Sequence, residues 1–175
     1  GQDCRQTRLW PAQNAGCQPQ ARRRLVVITP NVNFVSMAAG DAAFRDSLLE
    51  SQLSLVDGMP LVWLGRRNGI PFPERVAGSS LLLRLAAGTT SRPLRVHFLG
   101  GEPGVAERAA LRLPEIGGGL VNAGWTDPGF GSIESMSSAQ YLERINNSGA
   151  DLLVLALGAK KGHEWIARNR DRVNV

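Results

Sequence analysis

Asp57 stands at the end of the apolar run "LSLV" and directly before Gly58-Met59-Pro60. A carboxylate at the carboxyl end of a strand, half shielded from water, can have a raised pKa and act as a general base. The same residue also suits a turn, or the cap of a helix through "PLVWLGRR". Thr29 and Asn31 flank Pro30 after a second apolar run, "LVVI". Their hydroxyl and amide offer hydrogen bonds to a sugar or a base, and serve equally well inside the turn that Pro30 forces.

Two further stretches could bind phosphate. "HFLGGEPGVAERAALRL" reads as a strand, a turn holding Gly100, Gly101 and Gly104, and a helix start. Glycines let backbone approach a phosphate, and a helix N-terminus offers free N–H groups. The spacing is not the G-x-G-x-x-G of dinucleotide enzymes, and no acidic residue lies about 20 positions on. A plain strand-to-helix turn accounts for these glycines as readily. "ALGAKKGHEWI" repeats the arrangement with Gly158, Lys160, Lys161 and His163. Two lysines at a helix start suit a diphosphate, and exposed lysines also serve merely to solvate a surface. His97 lies within an apolar strand and reads as a structural or surface residue. The sequence holds no D-x-D pair, no His/Cys/carboxylate cluster at ligand spacing and no G-x-S-x-G elbow. No metal and no cofactor are therefore expected, and a phosphate leaving group would depend on backbone N–H groups and cationic side chains.

Positioning these groups falls to an alternation of short apolar runs and helical patterns. Strands are expected at Leu25–Ile28, Leu53–Val56, Leu94–Leu99, Leu120–Ala123 and Leu152–Leu157. Helices fall between them, through "FVSMAAGDAAFRDSLLES", "PGVAERAALRL" and "SAQYLERINN". The pattern predicts an α/β fold: a mostly parallel, Rossmann-like sheet with helices on both faces. Its sites gather at the carboxyl ends of strands, where the candidate residues stand.

A chain of 175 residues is one domain, long enough to bury a core without disulfides. The net charge of +5 suggests an anionic partner until the charges are located. Residues 1–24 carry five arginines against one aspartate, so the body, 25–175, is nearly neutral. Such a basic, Gln-rich lead-in is expected to be flexible, with a membrane-surface contact or an oligomer interface as the other readings. A nucleic-acid partner is not expected, because the charge sits in a tail with no interleaved aromatic pattern beyond Trp10. Cys4 and Cys17 match no zinc spacing, and the body suits a reducing cytoplasm. No apolar stretch approaches the roughly 18 residues of a membrane span.

The order of the motifs is more specific than any one of them. "TPNVNF", "DGMPLVW", "PERVAGSSL", "FLGGEPGVAERAA", "DPGF" and "INNSGADLLVLALGAKKGHEWI" together resemble the bacterial WecG/TagA/CpsF glycosyltransferases, glycosyltransferase family 26, from about Leu25 to Asn169. The resemblance implies a GT-E-like fold. It also implies an inverting, metal-independent transfer of a sugar from a UDP-sugar to a polyprenyl-diphosphate-linked sugar at the inner face of the cell membrane. Asp57 then corresponds to the proposed base, and Thr29 and Asn31 to residues lining the pocket. Arg75 of "ERVAG" would contact acceptor or phosphate, or else pair with Glu74 on the surface.

Lys160-Lys161-Gly162-His163 stands where the family commonly has Pro-Lys/Arg-Gln-Glu. That variant resembles the exopolysaccharide, xanthan-type β-glucosyltransferases and shifts the expected donor to UDP-glucose. N-acetylmannosaminyl(uronic acid) transfer, for teichoic acid linkage or enterobacterial common antigen, is the alternative within the family. A C-terminal segment with arginines, present in the family, is expected to be missing here. The rivals from other classes are an NAD-dependent oxidoreductase and a non-catalytic nucleotide-binding module. Homo-oligomerisation is left open.

Overall fold

The computed structural model describes residues 24–70, 72–88 and 90–175. The lead-in and both cysteines, on which the sequence expectations for residues 1–23 rest, lie outside the described residues.

The apolar run Leu94–Gly100 forms β3, the central strand of a three-stranded sheet ordered β4-β3-β5, with β4 at Leu120–Thr126 and β5 at Leu152–Ala156. Both pairings are parallel, with Leu94 opposite Leu120 and Val96 opposite Leu152. Parallel neighbours need a crossover. The chain makes these with α5 (Val105–Ile116) and, after a 3-10 turn at Ser135–Ser137, α6 (Ala139–Asn147).

Alternate side chains of β3 point to opposite faces, and each face builds a core. Val96 and Phe98 pack with Ala106, Ala110 and Leu113 of α5 and with Ala86. Leu99 packs with Met136, Leu142, Ile145 and Trp165 on the other side. Covered on both faces, the strand turns apolar side chains to each of them, as strands of parallel sheets do. A bulge at Ala123 shifts the register, so that Val96 lies opposite Asn122 and His97 opposite Gly124.

A second sheet holds only β1 (Val27–Ile28) and β2 (Leu53–Ser54), parallel, with Val27 opposite Leu53. Backbone bonds extend the contact beyond the strands, from Leu55 N to Ile28 O at 2.9 Å and from Asp57 N to Pro30 O at 2.9 Å. The α/β class and the parallel pairing are those the sequence predicts, but the five strands fall into two sheets. β1 and β2 are two residues each and pair only with one another.

The single helical stretch expected after Asn31 is two helices, α1 (Val32–Gly40) and α2 (Ala42–Leu49). Asp41 separates them in an extended conformation, and its carboxylate accepts from Phe44 N at 3.0 Å. Glycine weakens a helix and aspartate favours its N-cap, so the Gly40-Asp41 step breaks a pattern that apolar spacing alone would continue. The remaining helices are α3 (Met59–Arg67), α4 (Gly78–Ala86) and α7 (Ala159–Asn169). No helix among the described residues is long and apolar enough to cross a membrane.

Candidate functional site

The carboxyl ends of β1 and β2 bring Thr29, Asn31 and Asp57 onto one edge. The bond from Asp57 N to Pro30 O ties the two strand ends together. The loop before α4 closes against them, with Val76 N donating to Val56 O at 2.8 Å. Arg75 is thereby fixed beside the same edge. α4 starts against Thr29, and a Cβ added to Gly78 would lie 3.1 Å from Thr29 Oγ1. A side chain there would require Thr29 to give way by a few tenths of an ångström. Gly78 was not singled out in the sequence, although its place at the end of "ERVAG" was the available signal.

Asn31 spends its side-chain oxygen on the N-terminus of α1, accepting from Asn33 N at 3.0 Å and Phe34 N at 3.4 Å. Its amide N–H groups have no partner among the described residues. Asp57 does not cap α3. Gly58 holds the cap position with φ 117°, and no side chain bonds the first turn. The half-buried Asp57 carboxylate has no hydrogen bond or ion pair among the described residues. Nor is Arg75 paired with its neighbour, because Glu74 takes Arg84 at 3.3 Å. α4 also lacks a side-chain cap. Two helix N-termini with free N–H groups, those of α3 and α4, therefore start at this edge, where they favour an anion.

The second group of candidate residues lies on the larger sheet and is more fully committed to the fold. Gly100, Gly101 and Gly104 have φ of 90°, 94° and 75°, which explains three glycines in one turn. Gly101 N donates to Ala156 O at 2.9 Å. Gly104 N donates to Asp127 Oδ2 at 3.1 Å, and Asp127 Oδ1 accepts from Gly129 N at 3.1 Å. A carboxylate of the chain itself thus sits at the start of α5, where a phosphate was expected. Asp127 was quoted within "DPGF" without a role, and Asp before Pro-Gly was its turn signal.

Gly158, with φ 78°, turns the chain from β5 into α7. Lys160 Nζ is 2.8 Å from Asp41 Oδ2, which raises the lysine pKa and lowers that of the carboxyl. Lys161 Nζ donates to Gly131 O at 3.0 Å. His163 is buried, with Nδ1 3.1 Å from Ser47 Oγ and its ring edge-on to Phe44 and Phe34, at centroid separations of 5.2 and 5.9 Å. Burial lowers its pKa. Asp41, Phe44, Ser47, Lys160 and His163 line a cleft of about 340 Å³ between α2 and α7. Thr29, Asn31, Asp57 and Arg75 are therefore gathered at one edge, while the lysines and His163 have protein partners elsewhere.

A model of the WecG/TagA/CpsF glycosyl transferase family matches residues 13–175. The chain belongs to this family. No curated protein of similar sequence was found. The family match extends beyond the quoted motifs at both ends and spans every element described above. As a WecG/TagA/CpsF glycosyltransferase, the protein is an enzyme that transfers a sugar from a donor to an acceptor. Among the described residues, no group of three His, Cys, Asp or Glu side chains could hold a metal ion.

Proposed function

We propose that the protein moves glucose from UDP-glucose to a polyprenyl-diphosphate-linked sugar at the inner face of the bacterial cell membrane, in exopolysaccharide synthesis, with inversion and without a metal. The observation that carries this reading is the uncommitted Asp57 carboxylate, half-buried at the end of β2 beside Thr29 and Asn31. Asp57 takes the proton of the acceptor hydroxyl as that oxygen attacks the anomeric carbon. The bond to UDP breaks on the opposite face, and the configuration inverts.

Charge accumulates on the departing diphosphate. The N-termini of α3 and α4, which have no side-chain cap, and Arg75, which has no ion pair among the described residues, supply donors and positive potential at that edge. Thr29 and the amide of Asn31 orient the sugar. The lysines at α7 are given no part, since both ammonium groups are already bonded.

Calorimetric titration with UDP, UDP-glucose, UDP-N-acetylmannosamine and NAD, with and without EDTA, tests the reading. UDP binding indifferent to EDTA, with UDP-glucose preferred, is the expected result. Binding of NAD in place of UDP would end the proposal. Asp57→Asn is expected to keep UDP binding and lower turnover by roughly 10² to 10⁴, the usual worth of a general base. Full turnover in that variant would remove Asp57 from the role.

A further inference from the structure

α3 rests on the protein through Val62 and Gly65, both buried. Gly65 lacks a side chain so that the Phe72 ring can lie against the helix. The opposite face of such a helix is ordinarily polar. Here it carries Met59, Trp63 and Leu64, exposed by 39, 61 and 51%, with Ile70 just beyond at 53%. Met59 and Trp63, four residues apart, form one stripe. Arg66 and Arg67 end the helix, exposed and without an ion pair among the described residues.

Scattered apolar side chains on a surface need no explanation, whereas a contiguous patch rimmed by charge marks a docking site. We propose that α3 is the surface by which this protein lies on an anionic phospholipid bilayer. Met59, Trp63 and Leu64 enter the boundary between headgroups and acyl chains, and Arg66 and Arg67 meet lipid phosphates. Charge selects the bilayer over a second copy of the chain. α3 carries Arg66 and Arg67 and no acidic residue, so its charge complements anionic headgroups and offers the arginines of a second copy no carboxylate on this helix to pair with.

The proposal deepens the transferase reading and rests on it for its purpose. Met59 follows Asp57 by two residues, so a helix lying on the bilayer holds the carboxylate near headgroup level, where a lipid-linked acceptor presents its hydroxyl.

Co-sedimentation of the full chain with vesicles of phosphatidylcholine, or of phosphatidylcholine mixed with phosphatidylglycerol, tests the surface. Binding to the mixed vesicles, weakened by salt, is expected. Trp63→Ser with Leu64→Ser should weaken it roughly tenfold, and Arg66→Gln or Arg67→Gln roughly fivefold each. Circular dichroism and the urea midpoint should match wild type, since the replaced side chains face solvent. Unchanged vesicle binding in the Trp63/Leu64 variant would overturn the proposal, because attraction would then run through another surface. So would absence of vesicle binding together with a dimer that this variant dissociates. Transfer to a water-soluble acceptor separates the two readings: it should survive the α3 substitutions and fail in Asp57→Asn. Turnover surviving in Asp57→Asn, with vesicle binding still dependent on Trp63, would end the catalytic reading and leave the docking surface standing.

Discussion

His97 lies inside β3, fully buried, with Nε2 2.9 Å from Thr126 Oγ1 and no partner for Nδ1 among the described residues. Gly124 makes room for the ring, since a Cβ there would come within 3.2 Å of it. Burial, and secondarily the positive charge of Arg144, lower the His97 pKa from 6.5 to about 4. The folded chain therefore binds fewer protons than the unfolded chain between those values. Stability is fully present above pH 6.5 and falls as the pH drops toward about 4. The loss amounts to about 3 kcal/mol at most, at 1.36 kcal/mol per pKa unit. His163, also lowered by burial, adds in the same direction. Urea unfolding at about pH 7 and about pH 4.5 should show a smaller drop in His97→Gln than in wild type. Equal drops would show that His97 does not carry the effect. Of the two roles its position in an apolar strand suggested, structural or surface, the full burial of His97 agrees with the structural one and rules out the surface one.

Among elements, α3 depends on a missing side chain. Gly65→Ala would place a methyl group in the Phe72 ring and press the following loop away from the helix. Overpacking of this kind costs about 1–3 kcal/mol. A thermal melt checks it, and an unchanged midpoint would mean that Phe72 yields freely. The same substitution disturbs the inward face only, so vesicle binding through Trp63 should outlast the loss of stability. At the junction of α1 and α2, Asp41 both caps α2 and pairs with Lys160. Asp41→Asn should retain the cap and lose the pair, whereas Asp41→Ala loses both and should have the lower melting midpoint. Equal midpoints in the two variants, both below wild type, would assign the stabilisation to the ion pair.

At the scale of the whole molecule, β3 carries a core on each face, and the smaller sheet carries the candidate site. Leu99 is fully buried against Met136, Ile145 and Trp165, so Leu99→Ala should destabilise the protein by about 2–5 kcal/mol. Denaturant titration measures it. A ligand that binds only the folded chain stabilises it by mass action, about 2.7 kcal/mol at a hundred times its Kd. UDP should therefore raise the melting midpoint with or without EDTA, and Asp57→Asn should preserve that rise. A rise abolished by EDTA would contradict metal-independent binding.

Apolar runs separated by turn signals determined the α/β class, the five strands and their parallel pairing, because burial on both faces leaves its mark residue by residue. They also marked Asp57, since a carboxylate abruptly ending an apolar strand is visible in one dimension. The role of each polar group depended on contacts between residues far apart in the chain. Lys160 meets Asp41, 119 positions away, and Gly104 meets Asp127 across 23. Such partners have no fixed spacing, so the sequence offered the lysines and the glycine turn as phosphate ligands, and only the tertiary structure showed the protein groups they meet. The same structure left the Asp57 carboxylate without a partner among the described residues and turned Trp63 outward. Whether a side chain is satisfied, and which way it faces, is decided only when the rest of the chain has taken its place.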